Sequence, residues 1–153
     1  MEISRDFKEW LACLIATKSE FIVVGGYALA HHGCPRFTGD IDVLVRPTEE
    51  NARRVLEALR QFGFGGLEIG VADLSTPGRV VQLGFPPQRI DLLTRIDGLD
   101  WTEASSDPSI DRSLGIEIPY ISRAALIANK RASGRLKDLA DVEALEGRSG
   151  RRD

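Results

Sequence analysis

The stretch Val24-Gly25-Gly26, followed further along by Gly39-Asp40-Ile41-Asp42-Val43, decides how this sequence folds. Residues two apart on a strand face the same way, so Asp40 and Asp42 present their carboxylates together while Ile41 and Val43 turn to the core. The alternation from Asp40 to Val45 predicts a strand with one apolar face, closed by Pro47-Thr48. Upstream, Phe21 to Val24 predicts a short buried strand that stops at Gly25-Gly26, and Tyr27 to His32 reads as a helix ending at Gly33. The two glycines therefore sit between a strand and a helix N-terminus, where bare backbone N–H groups can approach a phosphate closely.

Outward from this centre, Ser4 is a plausible N-cap for a helix carrying Phe7, Trp10, Leu11, Leu14 and Ile15 on one stripe. Thr48, with Glu49 and Glu50 behind it, predicts a second helix whose stripe is Ala52, Val55, Leu56, Leu59 and Phe62. After the glycines of 63–66, the segments Leu67–Val71, Arg79–Phe85 and Arg89–Leu93 read as short strands. Residues 97–113 read as a loop and Ile116–Tyr120 as a last edge strand. Two helices follow, one capped by Ser122 and running to Ser133, the other from Arg135 to Glu146. The order predicts one α/β (α+β) domain over residues 1–146, with a short mixed β-sheet and helices packed on one face, and a flexible polar tail at 147–153.

Composition agrees with a single folded domain. The 153 residues are 42% hydrophobic and 28% charged, ordinary globular usage. Twenty Lys and Arg against 23 Asp and Glu leave a net charge of −3, so no global basic field draws the chain to nucleic acid or anionic membrane. Apolar runs fall far short of the roughly 18–20 residues a membrane span needs, and Met1-Glu2 opens no basic export signal. Cys13 and Cys34, in stretches that read as different helices, make no disulfide framework. A cytoplasmic protein with reduced thiols is expected.

Adjacent carboxylates at Asp40 and Asp42 are costly without a counter-charge, and Mg²⁺ or Mn²⁺ supplies one while accepting phosphate oxygens into its shell. In Arg89-Ile90-Asp91-Leu92, Ile90 and Leu92 point one way and Asp91 the other. If that strand neighbours the Asp40 strand, Asp91 joins the pair, and three acids can hold two metal ions about 3.5–4 Å apart for in-line phosphoryl or nucleotidyl transfer. His31, His32 and Cys34 do not match structural zinc spacing and read as helix-end residues. Trp10, on the apolar stripe of its helix, reads as core, while Trp101 in the long loop is open between core and stacking on a base. Lys137 and Asp141 read as an i,i+4 ion pair on a solvated helix face.

The run Gly25-Gly26-Tyr27-Ala28, Gly33, Arg36-Phe37-Thr38-Gly39-Asp40-Ile41-Asp42 resembles the nucleotidyltransferase signature of the DNA polymerase β superfamily, with Asp91 where the third acid is expected. The nearest likeness is to small bacterial nucleotidyltransferase-like and AbiEii-toxin-like proteins, in which an Arg and a Thr commonly precede the acidic pair, as Arg36 and Thr38 do here. Lys130, Arg135-Leu136-Lys137-Asp138 and Asp141 are similar to a C-terminal helix of the AbiEii-like members. The resemblance spans residues 21–145. It implies a Mg²⁺-dependent enzyme that moves a nucleoside monophosphate from an NTP to a hydroxyl on an RNA end, a protein or a small molecule. Asp40, Asp42 and Asp91 would be catalytic and metal-binding; Gly25, Gly26, Arg36, Thr38, Lys130 and Asp138 would meet the nucleotide. Many active members have Gly-Ser where this chain has Gly25-Gly26, which leaves backbone amides alone to hold phosphate. The chain also ends about where larger relatives begin a helical second domain, implying self-association or an antitoxin-like partner. A catalytically inactive nucleotide-binding or toxin–antitoxin partner protein of the same fold is the alternative.

Overall fold

Ser4 caps the first helix, its hydroxyl accepting from the Phe7 N–H at 3.2 Å, and α1 (Arg5–Ala16) buries Phe7, Trp10, Leu11 and Leu14. The computed structural model describes residues 2–150, the side chains of 148–150 excepted. From α1 the chain enters β1 (Phe21–Val24), α2 (Gly25–His31) and β2 (Asp40–Val45). Thr48 then caps α3 (Glu49–Phe62), which ends on Gly63 in the left-handed region at φ 109°, where a side chain would be strained. The rest is α4 (Val71–Ser75), β3 (Val80–Leu83), β4 (Arg89–Leu93), α5 (Trp101–Ala104), β5 (Ser109–Asp111), β6 (Ile118–Tyr120), α6 (Arg123–Ser133) and α7 (Leu136–Gly150).

The six strands form one mixed α/β sheet in the order β3-β4-β2-β1-β6-β5. β2 runs antiparallel to β1 and parallel to β4, while β1 also pairs parallel with β6. α1 and α3 pack together through Trp10 and Phe62, with ring centroids 5.7 Å apart, and share a core with Ile41, Val43 and Leu92. Buried Asn51 fixes α3 to the strand ends: its amide donates to the carbonyls of Glu20 (2.9 Å) and Arg46 (3.0 Å) and accepts from the Glu20 N–H (2.7 Å). A buried amide with three backbone partners is fully engaged, which offsets its desolvation.

Several expectations are corrected. Leu67–Val71 is not a strand: the Asp73 carboxylate accepts from the Gly70 N–H at 2.9 Å and starts α4, which buries Leu74. Residues 97–113 are not all loop. Asp100 and Glu103 satisfy each other's backbone N–H at the start of α5, and β5 extends the sheet beyond β6, so β6 is an inner strand rather than the edge. The expected Arg79–Phe85 strand shortens to Val80–Leu83. Cys34 lies just past α2 rather than in a helix, and both cysteines are free. α7 continues to Gly150, past the expected end at Glu146. The remainder of the expected tail, 151–153, lies outside the described residues. None of the described helices is long and apolar enough to cross a membrane.

Candidate functional site: an acidic cluster facing a charged helix pair

Strand register builds the acidic cluster. Asp40 pairs with Arg89 and Asp42 with Asp91 across β2 and β4, so all four side chains rise from the same face while Ile41, Ile90 and Leu92 are buried beneath. One carboxylate oxygen from each of Asp40, Asp42 and Asp91 lies within 4.8 Å of the others. Thr38 positions the first acid, its hydroxyl donating to Asp40 Oδ1 at 3.0 Å. Arg89 makes ion pairs with Asp40 and with Asp91, its Nε 3.0 Å from Asp91 Oδ1.

Gly25 and Gly26 back directly onto this cluster. Gly25 holds φ +68°, and a Cβ there would overlap the Asp42 carboxylate; a Cβ on Gly26 would come within 3.0 Å of Thr38 Cβ. The turn is thus closely backed by the side chains of Asp42 on β2 and of Thr38 just before that strand.

Three carboxylates served by one guanidinium leave the cluster short of positive charge. Burial, reinforced by the negative charges of Asp40 and Asp91, pushes the Asp42 carboxyl up to about 7. Burial and Asp40 also raise Asp91. Asp91 is 6% exposed, and its Oδ1 has no hydrogen-bond partner. An orphaned buried oxygen beside two further carboxylates is the donor set a hard divalent cation takes, so the residues present fit Mg²⁺ or Mn²⁺.

The opposite wall comes from α6 and α7. Lys130, 7% exposed, donates to Asp141 at 2.9 Å and to Asp138 at 3.4 Å. Arg135 Nε meets Asp138 at 2.6 Å, and Arg36 reaches Asp141 at 3.0 Å from the loop after α2. Burial alone would raise Asp138, but the Arg135 hydrogen bond and the Lys130 charge outweigh it and hold the carboxyl below its usual range. Asp141 is therefore paired with Arg36 and Lys130 rather than with Lys137, and it is buried rather than on a solvated face.

A cleft of about 660 Å³ separates the two walls and is lined by Gly25, Gly26, Arg36, Thr38, Asp40, Asp42, Asp91, Lys130 and Asp138. Every residue expected to be catalytic or to meet the nucleotide lines this space. Arg89 was missed, although its spacing of two from Asp91 on a strand was a readable signal. The histidines tie α2 to the far edge of the sheet: His31 Nε2 is 2.8 Å from Ser109 Oγ and its ring stacks on Tyr120, and His32 Nε2 is 2.8 Å from the Ile121 carbonyl. Trp10 is fully buried, and Trp101 opens α5 outside the cleft lining.

A family model described as Nucleotidyl transferase AbiEii toxin, Type IV TA system, matches residues 11–150. None of the curated proteins matches the chain. Among solved structures, TM1012 from Thermotoga maritima, described as a nucleotidyltransferase, aligns with a TM-score of 0.56 and 18% identity over 97% of this chain and 92% of that one. ANT(2″)-Ia, in complex with adenylyl-2″-tobramycin, aligns with a TM-score of 0.45 and 16% identity over 93% of this chain and 95% of that one. The likeness to TM1012 bears on the fold and agrees with the six-stranded mixed sheet.

Proposed function

Since the chain belongs to the AbiEii nucleotidyl transferase toxin family, we propose that it transfers a nucleoside monophosphate from an NTP to a hydroxyl acceptor, with Mg²⁺ or Mn²⁺ at the acid cluster. The observation that carries this reading is the convergence of Asp40, Asp42 and Asp91 within 4.8 Å in a cleft whose other side carries Arg36, Lys130 and Arg135. When bound, a divalent cation offsets the carboxylate charge and polarises phosphate oxygens.

Asp40 and Asp42 would hold the cation, and Thr38 keeps Asp40 in place through its hydroxyl. The N–H groups of Gly25 and Gly26 face the β- and γ-phosphates. Arg36 and Lys130 add positive charge along the triphosphate, and Asp138 acts through the two cations it holds, Lys130 and Arg135. Asp91, with its raised pKa, takes the proton of the acceptor hydroxyl. The acceptor oxygen then bonds to the α-phosphorus as the bond to the bridging oxygen breaks, and pyrophosphate leaves.

The acceptor is a hydroxyl on an RNA end, a protein or a small molecule. The supporting experiment incubates the protein with Mg²⁺, each labelled NTP and a cell extract, and asks which species gains label. Label transferred by the wild type and lost in Asp42→Asn supports the reading; NTP binding without transfer supports the inactive alternative.

Toxin–antitoxin membership also leads to a protein partner or a second copy of the chain, to cover apolar surface such as Phe37 and Leu136, each 88% exposed. Sedimentation of the protein at high concentration, alone and as purified from its host, tests this: a clean monomer without a companion counts against it.

A further inference from the structure

We propose that Arg89 is a positioning residue that competes with the divalent cation for the Asp40–Asp91 side of the acid cluster; this rests on the metal reading above. Arg89 stands opposite Asp40 in the strand register and two residues before Asp91, so its guanidinium rises between those carboxylates and pairs with both. The terminal nitrogen that meets Asp40 is also 3.2 Å from Asp91 Oδ2. A cation at Asp40 and Asp42, beside Asp91, needs the Asp40 oxygen this group occupies.

The bridge is imperfect in a telling way. Arg89 Nε and Asp91 Oδ1 are 3.0 Å apart, yet neither has a hydrogen-bond partner and both are buried. The N–H is not aimed at the oxygen, so Asp91 carries an acceptor with charge nearby but no donor, a situation that costs free energy in a buried place. The guanidinium acts as a stand-in: it lowers repulsion among the acids and leaves one oxygen unserved. The Arg89 side chain is 29% exposed, which leaves its end room to turn away when a cation arrives. Cation binding thus includes breaking the Arg89–Asp40 pair, and the guanidinium weakens cation affinity while stabilising the cation-free fold.

Mn²⁺ titration by electron paramagnetic resonance, at pH 8 and without nucleotide, tests the competition on the full chain as wild type, Arg89→Gln and Arg89→Lys. Arg89→Gln should bind Mn²⁺ about tenfold more tightly, from the loss of one positive charge beside the site. Arg89→Lys should fall between, because an ammonium cannot span two carboxylates as a planar fork does. In EDTA, Arg89→Gln should melt below the wild type, and saturating Mn²⁺ should close most of that gap; a merely structural role would lower both melting points alike. Mn²⁺ binding no tighter in either variant overturns the competition while leaving the metal reading intact. If Arg89→Gln fails to fold, Arg89→Lys decides by the same criterion. Absence of Mn²⁺ binding in all three chains, repeated with NTP present, overturns the metal reading and the competition with it.

Discussion

Two clusters of charge face each other across the cleft, and they are balanced in opposite ways. On the sheet, Asp40, Asp42 and Asp91 share a single cation, Arg89; on the helical side, Asp138 and Asp141 share three, Lys130, Arg135 and Arg36. The carboxyl groups respond accordingly, Asp42 rising to about 7 and Asp138 falling below its usual range. Both clusters are largely buried, so burial alone does not separate them. The difference lies in the counter-charge the fold supplies: the sheet cluster is short of it, as the proposed cation site would be, and the helical cluster is largely self-paired.

The widest split should come from the two acids that face each other in the strand register, Asp42 and Asp91. Asp91→Asn should leave NTP binding near the wild-type level and reduce label transfer on the order of a thousandfold, since its proposed role is at the acceptor proton. Asp42→Asn should weaken metal and NTP binding together. Calorimetric titration with NTP, beside the transfer assay, checks both. Unfolding of Asp91→Asn would make Asp91 a structural pairing residue, and transfer at the wild-type rate would move the third acid elsewhere, with Asp138 the first candidate.

Next in size is Lys130→Met. It takes the shared cation from between two buried carboxylates, leaving each with one partner, and should cost about 3–5 kcal/mol in denaturant unfolding. Removing Asp42 from the opposite wall should do the reverse: the cation-free Asp42→Asn protein should be at least as stable as wild type at pH 7, because repulsion in the acid cluster is relieved. A loss of stability in both variants would break the contrast.

The pH dependence follows from the same two groups. Asp42 has a folded pKa above its unfolded value, so between about pH 4 and 7 the folded state binds the extra proton and stability falls as pH rises, by roughly 2–4 kcal/mol. Asp138 is depressed in the fold, so its contribution is present above its unfolded pKa and is lost as pH drops through its folded value. Melting points in EDTA should decline from pH 4 to 7, and Asp42→Asn should flatten that decline. Mn²⁺ should flatten it too, because binding requires Asp42 to lose its proton.

The sheet cluster was largely legible in the sequence, and the helical one only in part. Period-2 alternation in Asp40–Val45 and Arg89–Leu93 fixes which face each acid takes, and the register of β2 on β4 then brings Asp42 opposite Asp91. Arg89 follows the same parity and could have been read with them. Helical spacing is less decisive: Lys137 and Asp141 are i,i+4, yet Asp141 turns inward to Lys130 and to Arg36, which is 105 residues earlier. A partner that distant leaves no trace in local periodicity. The short elements α4 and β5 were missed for another reason, since five residues with one buried side chain, or three of intermediate burial, carry too little pattern; the Asp100 and Glu103 pair at α5 was a capping signal that the loop reading passed over.

The smallest effect on stability belongs to Arg36, and it sharpens the contrast most finely. Its ion pair with Asp141 is 3.0 Å long, but the Arg36 side chain is 42% exposed, so solvent screens the interaction and Asp141 keeps Lys130 when Arg36 is removed. Arg36→Ala should therefore lower unfolding free energy by less than about 1 kcal/mol. Because Arg36 also lines the cleft beside Gly26 and Thr38, losing its charge should weaken NTP binding about tenfold while leaving Mn²⁺ binding without nucleotide unchanged. Arg36→Lys should recover part of the NTP affinity, since the charge returns without the planar fork. Denaturant unfolding and calorimetric NTP titration on the same preparations separate the outcomes. A large stability loss with NTP affinity intact would place Arg36 wholly within the paired helical wall and remove it from the nucleotide site.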